Sequence, residues 1–344
     1  AMKKKHILLS LIAIIVLAGI GVCGYLYKVF VKDPIASNGT TIQVYITPNM
    51  SSDSLCSMLS RQIEPSKARK IVDIMYRNDY DSANRKGYFE LKGNTSIYRA
   101  ARRLAAGSQT PIKFTFNNLR LAEQLAERAD ECFFMSGDSL LAIISDETVC
   151  KSYGFTPTTI TSMFLPDTYE FYWTVTPERF VERMHEYYEQ FWNEERQAKA
   201  RQAGLTPIEV SILASIVEEE TAKTDEMPIV AGLYINRLRR NIPLQADPTV
   251  KYAVGDFSLK RILNKHLTTR SPYNTYINTG LPPGPIRIPS KAAINAVLNY
   301  QKHDFLYMCA KEDFSGYHNF ARTLSEHNRN AERYHSALNR RGIK

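Results

Sequence analysis

The stretch TPIEVSILASIVEEET, residues 206–221, is the most informative part of the 344-residue chain. Thr206, Pro207 and Glu209 supply an N-cap, a first-turn proline and the third-position carboxylate of a capping box, so a helix is predicted to start here. Ile208, Ile212, Leu213, Ile216 and Val217 form its packed side. Ser211, Ala214, Ser215 and Glu218 are spaced by three and four and share a second side that is small and polar, which is expected to let Glu218 project into a cleft. Glu218, Glu219 and Glu220 repel one another and face the negative end of the helix dipole. Both effects raise a carboxyl pKa, as a group that must hold a proton near neutral pH requires. The three glutamates fit a solvated helix end equally well, so on their own they do not identify an enzyme.

On the N-terminal side, Lys3, Lys4 and Lys5 precede an uncharged run over residues 7–27. About 20 apolar residues cross a bilayer, and flanking lysines place the N-terminus in the cytoplasm, so residues 1–6 are expected to be a cytoplasmic tail and 7–27 a single transmembrane helix. The body would then lie on the periplasmic or outer side of the cytoplasmic (inner) membrane. A cleaved signal peptide, or a lipoprotein modified at Cys23, is the alternative. Residues 28–40 read as a linker. Alternation at Ile42, Val44 and Ile46, helical spacing over 51–80, short strands at 87–91 and 112–116, and a basic amphipathic helix over 96–106 predict a small α+β module at 41–118. Residues 119–160 read as a helical connection and 161–344 as a larger mixed α/β domain. Within it, 177–202 is predicted as one long charged helix. The fold class is α+β.

With 44% apolar residues the chain can bury a sizeable core, and its formal charge of +9 suits a polyanionic partner. Nucleic acid is a poor candidate, because there is no zinc-finger spacing, phosphate loop or aromatic RNA-binding signature, and the basic residues are scattered. Cys23, Cys56, Cys132, Cys150 and Cys309 form no CxxC pair and lie at no metal-ligand spacing with histidine, so neither a metal nor a cofactor is expected. They read as small buried hydrophobes, with a bridge from Cys132 to Cys150 left open for an exported body.

Residues 214–221 resemble the signature helix of the endolytic murein transglycosylases, the MltG or YceG-like family. Further matching segments follow in order at 234–238, 244–250, 273–276 and 280–286, with His318, Asn319 and Phe320 and then His327 and Asn328 near the end, and 165–171 upstream. The resemblance is close over 160–335. It implies that Glu218, the first glutamate of the motif, is the catalytic acid of a lyase that cuts the MurNAc-β-1,4-GlcNAc bond within nascent peptidoglycan strands. One carboxyl would protonate the glycosidic oxygen and then accept the proton of the muramic acid 6-hydroxyl, closing a 1,6-anhydro ring without water. It also implies that the module at 41–118 is LysM-like, that peptidoglycan synthases are candidate partners, and that the enzyme terminates new strands at the membrane. Thr323 stands where some members carry Asn, which puts a polar contact at that rim in doubt.

Gln245 and Asp247 lie in a stretch expected to be extended and ended by Pro248, and the resemblance implies that this stretch, with Thr249 after it, lines the cleft; Asp247 is the candidate second carboxylate, or else a turn-forming residue. Tyr273, Asn274, Thr275 and Tyr276 combine aromatic faces with amide and hydroxyl groups, the mixture that sugar binding needs and that core packing also uses. The proline-rich segment 280–286 reads as a rigid cleft wall. His318 and Asn319 complete the expected substrate contacts. Two competing functions remain: a muramidase-type hydrolase in which Asp247 activates water, and a non-catalytic wall-binding scaffold.

Overall fold

A computed structural model describes residues 2–28, 32–77, 80–81, 84–259 and 261–342, the side chains of residues 2–11 excepted. The chain divides into two compact units, residues 1–113 with 170–175, and residues 114–169 with 176–344. The segment expected as a connection, 119–160, lies within the second unit. The expected tail at 1–6, part of the span at 7–27 and part of the linker at 28–40 fall outside the fully described residues.

The first unit begins with helix α1 (Met2–Tyr27), whose apolar side chains from Ile12 to Tyr27 are exposed. Among the described residues, no helix is long and apolar enough to cross a membrane. Strand β1 (Thr41–Ile46) alternates exposed and buried residues, sending Ile42, Val44 and Ile46 inward. After helices α2 (Ser52–Ser60) and α3 (Pro65–Tyr76), strand β2 (Gly87–Lys92) pairs antiparallel with β1, Val44 opposite Phe89. Helix α4 (Ile97–Ala105) follows, and the Oγ atoms of Ser51 and Ser96 accept the first-turn amides of α2 and α4. One apolar cluster of strand and helix residues, with Ile71, Met75, Phe89 and Leu104 fully buried, holds this β-α-α-β arrangement together. The returning segment 170–175 joins it through Trp173, edge-on to Tyr45 at 5.3 Å, and through Thr174, which accepts from Gln109 Nε2 at 2.9 Å.

Strand β3 (Ile112–Phe116) pairs with β4 (Asp167–Phe171). Helices α5 (Ala122–Cys132), α6 (Gly137–Ser145) and α7 (Glu147–Ser152) and a 3-10 turn (Ile160–Met163) lie between them. The predicted long helix is two helices, α8 (Pro177–Phe191) and α9 (Glu194–Ala203). The break has a local cause: the Asn193 side chain accepts from Arg196 N at 3.0 Å and starts α9 afresh, with Glu194 and Glu195 favouring the positive end of its dipole. All five cysteines are free, and Cys150 is buried with its thiol donating to the Ile144 carbonyl, so Cys132 and Cys150 are not bridged.

Helix α10 (Pro207–Glu220) starts where the capping box predicts, with Thr206 Oγ1 accepting from Glu209 N and Glu209 accepting from Thr206 N. Its surroundings differ from expectation. Val210 through Val217 are all buried, including Ser211, Ala214 and Ser215, so the small side faces protein and not a cleft. Small residues admit close neighbours. Ser215 Oγ accepts from Ile286 N at 3.0 Å and donates to Ile212 O at 2.7 Å, which fastens the proline-rich segment to the helix. That segment is equally tight on its other side, since a Cβ at Gly284 would lie 2.0 Å from Thr158 O.

Around α10 are α11 (Met227–Arg239), α12 (Asp247–Val254), the short α13 (Asn264–Leu267) and α14 (Lys291–Leu298). The chain ends with the antiparallel hairpin β5 (Tyr307–Ala310) and β6 (His318–Ala321) and with α15 (Leu324–Arg340). Thr323, at the position of doubt, is the N-cap of α15 and forms a capping box with Glu326, so its hydroxyl is committed to the helix start. The α+β class holds, with strands only in two-stranded pairs among the described residues.

Gly232 of α11 sits where a Cβ would be 2.2 Å from the Gln301 carbonyl oxygen. Because the obstacle is backbone, Gly232→Ala should destabilise the second unit by about 1–3 kcal/mol. Chemical denaturation would show this as a lower midpoint with unchanged slope.

Candidate active site

Three consecutive helical residues fan over roughly 200° at 100° each, so Glu218, Glu219 and Glu220 meet three environments. Glu218 Oε2 accepts the backbone N–H of Ser290 at 2.8 Å and lies 3.7 Å from Arg287 Nε. Ser290 is also the N-cap of α14, so Glu218 ties one helix end to the start of another. Glu219 is held by Arg120 Nη2 at 2.9 and 3.0 Å and by Arg287 Nη1 at 2.9 Å, all three side chains being largely buried. Glu220 has no such cation. Its Oε1 accepts the hydroxyl proton of Tyr234 at 2.6 Å, and burial, the largest cause, pushes its pKa up to about 7. The Tyr234 hydrogen bond and the Arg237 charge oppose that rise; Asp247 and Glu219 add to it.

Glu220 opens on a cavity of about 200 Å³ that also takes in Gln245, Asp247, Tyr276 and His318, and on a larger one of about 850 Å³ that it shares with Asp247 and Glu219. Glu218 lines neither. The residues expected at the site therefore divide into two groups. Gln245, Asp247, Tyr276 and His318 come together around Glu220. Thr249, Asn274 and Thr275 are fully buried and shape the loops behind them. Thr249 Oγ1 and Thr275 Oγ1 lie 2.8 Å apart, and Asn274 Nδ2 donates to the Leu267 and Thr269 carbonyls, both at 2.9 Å. Tyr273 packs on Tyr252, and Asn319 donates to Glu312. None of these five lines either cavity.

Gln245 and Asp247 are expected in an extended stretch ended by Pro248, yet α12 starts at Asp247. Proline is tolerated in a first turn, where its missing N–H has no partner to lose, and Thr249 Oγ1 closes the turn on Ala246 O at 2.7 Å. Gln245 just ahead of it has φ +51°, a left-handed conformation uncommon for a residue with a side chain. Its backbone N–H reaches Thr275 O at 3.0 Å, and its Oε1 accepts from Arg237 Nη1 at 3.2 Å. Arg237 is buried and also donates to the Pro243, Leu244 and Leu306 carbonyls, so one guanidinium fixes the loop that presents Gln245 and Asp247. Asp247 Oδ1 in turn accepts the Tyr276 hydroxyl at 2.6 Å.

His318 is set by Glu226, a carboxylate that is 2% exposed. Glu226 accepts from His318 N at 2.7 Å and lies 2.9 Å from its Nδ1. With Nδ1 so occupied, Nε2 is the ring nitrogen left for a ligand.

Reading from sequence missed Glu220, Tyr234, Arg237 and Glu226. For Glu220 a signal existed: it follows Leu213, Ile216 and Val217 by seven, four and three residues, which puts a carboxyl at the end of the apolar stripe, and a polar group on a buried face is the informative exception. Nothing in the spacing of Glu226 and His318 indicates their pairing.

The fold and site define an α+β protein with one protonatable carboxyl in a polar cleft. A family model described as "YceG-like family" matches residues 44–333, and the chain belongs to that family. It is similar to the endolytic murein transglycosylase of Bacillus subtilis (strain 168), 29% identical over 92% of this chain and 91% of that protein. The endolytic murein transglycosylase of Streptococcus pneumoniae serotype 2 is 27% identical over 98% of this chain and 66% of its own length. The crystal structure of a yceG-like protein of Listeria monocytogenes superimposes with a TM-score of 0.54 at 25% identity, covering 84% of this chain and 98% of that one.

A carboxyl whose folded pKa is raised, from 4.5 to about 7, makes the folded state bind the extra proton. Its contribution therefore favours folding below the unfolded value and is lost as pH climbs through the folded one. Glu220→Gln removes that loss. The variant should melt higher than the parent by a margin that grows between about pH 5 and 8, which calorimetry across that range would measure.

Proposed function

We propose that the protein is an endolytic murein transglycosylase that cuts the MurNAc-β-1,4-GlcNAc bond within peptidoglycan strands, with Glu220 as its acid and base. The observation that carries this reading is the Glu220 carboxyl: half-buried, without an ion pair among the described residues, hydrogen-bonded to Tyr234 and open to the cavity. Near neutral pH such a group carries a proton for an appreciable fraction of the time, as a general acid must. It gives that proton to the glycosidic oxygen as the bond to C1 breaks. The carboxylate left behind takes the proton of the muramic acid 6-hydroxyl, whose oxygen forms the new bond to C1. The ring closes as a 1,6-anhydro sugar, the other strand leaves with a free hydroxyl, and no water is consumed.

Glu218, the acid expected from sequence, fits the role less well. Its carboxylate already accepts a backbone N–H and has Arg287 beside it, an arrangement that holds the start of α14. In this reading it positions and does not transfer protons. Asp247, fixed by Tyr276, raises the proton affinity of Glu220 through its charge, and His318 offers Nε2 to a sugar hydroxyl.

The anchor belongs to the same proposal. The uncharged run at 7–27 and the exposed apolar side chains of α1 from Ile12 onward support a single span with the body outside the cytoplasmic membrane. The β-α-α-β order of the first unit supports its reading as LysM-like.

Uncross-linked peptidoglycan strands incubated with the protein, followed by mass spectrometry of the fragments, test the reaction. Fragments ending in 1,6-anhydromuramic acid are expected, with Glu220→Gln lowering the rate about 10²–10⁴-fold and Glu218→Gln lowering it less than about tenfold in protein that stays folded. The reverse ranking would return the acid to Glu218. Reducing ends would make the enzyme a hydrolase, and intact strands from folded protein would leave a scaffold. The rate should fall as pH rises through about 7, where Glu220 loses its proton. Tyr234→Phe should move that fall to higher pH, because the Tyr234 hydrogen bond holds the Glu220 pKa down.

A further inference from the structure

The larger cavity has charge of both signs on its walls. Glu220 and Asp247 line it together with Lys251 and Arg261, and His335, Leu259, Ile262 and Leu338 complete this part of the wall. Lys251 follows Asp247 by four residues on α12, so it lies on the same face one turn, about 6 Å, further along. The nearby acids do not neutralise these cations. Glu219 is taken by Arg120 and Arg287, and Asp247, hydrogen-bonded to the Tyr276 hydroxyl, forms no ion pair with Lys251 or Arg261 among the described residues. Asp256 accepts from Ser258 N and Oγ and feels Lys251 only at longer range. Among the described residues neither Lys251 nor Arg261 has a carboxylate within ion-pair distance.

At about 850 Å³ the cavity is in the size range that takes a small ligand, about 300–1,000 Å³. It is larger than proton transfer at Glu220 requires. Its cations face a ligand whose reacting bond lies at the acid and whose negative charge hangs a helical turn away. Peptidoglycan has such a group: the lactyl ether of muramic acid carries a short peptide with free carboxylates, branching from the sugar whose C1 reacts. The apolar side chains at 259, 262 and 338 suit the methyl groups of a small-residue peptide.

We infer that this cavity is a stem-peptide site, in which Lys251 and Arg261 bind the free carboxylates of the peptide attached to the muramic acid at the cleavage point. The inference rests on the transglycosylase reading for the identity of the strand. It makes the enzyme selective for strands that still carry their peptides over strands stripped to bare glycan.

Two measurements on the full chain test it separately from the reaction. In titration calorimetry, a soluble muramyl peptide with free carboxylates should bind. Amidating those carboxylates, or the double change Lys251→Ala with Arg261→Ala, should weaken binding at least about tenfold, and Lys251→Arg should restore part of the loss relative to Lys251→Ala. In cleavage assays the parent should prefer peptide-bearing strands, and the double variant, checked for an unchanged melting temperature, should lose that preference.

Equal binding of the free and amidated peptides, equal cleavage of bare and peptide-bearing strands by the parent, or tighter binding of a glycerol-phosphate oligomer than of the peptide would overturn the inference. Any of these alongside anhydro products would leave the transglycosylase reading standing. Carboxylate-dependent binding in a protein that cuts no strand would do the opposite, refuting the reaction and keeping the peptide site.

Discussion

A helix buried on nearly every side and ending in three consecutive carboxylates has to dispose of their charge, and the second unit is organised around how it does so. Unpaired ionised carboxyls are costly when partly buried. Glu219 is satisfied by two guanidinium groups, one from residue 120 and one from 287, so distant parts of the chain are drawn to one helix end. Glu218 is satisfied by the first amide of another helix. With the cations spent on its neighbours, Glu220 has only a neutral hydroxyl donor, and protonation becomes its cheapest way of shedding charge. The raised proton affinity of Glu220 is what remains after the structural needs of the other two glutamates have been met.

The same economy governs the loop opposite. Gln245 adopts a left-handed backbone that its local sequence does not stabilise, just before Asp247 and Pro248 start a helix in the ordinary way. The Gln245 conformation is imposed from outside, by Arg237, which donates to four acceptors, and by the buried threonine pair at 249 and 275. Strain held by buried hydrogen bonds keeps its geometry when a ligand arrives, which is the condition for aligning a carboxyl with a particular glycosidic oxygen.

What could be read from the sequence follows the range of the interactions concerned. The start of α10 rests on contacts within one turn, and Thr206, Pro207 and Glu209 specify it fully. The first-unit strands follow from the alternation at Ile42, Val44 and Ile46. The break at Asn193 was also local, but a charged surface run without a clear apolar period hid an ordinary N-cap. Choosing among the three glutamates was not a local question. The small stripe of Ser211, Ala214 and Ser215 suggested open space beside Glu218, whereas small residues equally admit a close backbone, and here the segment at Ile286 fills that space. Family resemblance pointed to one turn of this helix, and only long-range contacts separate its three carboxyls.

The cleft residues show the same division. Thr249, Asn274 and Thr275 belong to polar segments that resemble the family's, yet their hydrogen-bonding groups are turned to backbone and to each other. A buried threonine hydroxyl and a sugar-binding one are the same in sequence, and burial alone tells them apart. Tyr276 and Tyr273 differ likewise: one hydroxyl meets Asp247 at the cavity, while the other ring packs against Tyr252. The polar loop next to the Glu220 carboxyl is therefore better regarded as two layers, an outer one that faces the cavity and an inner one that holds the outer in place. In this protein Arg237 joins them, since its guanidinium bonds backbone on the inner side and the Gln245 side chain on the outer.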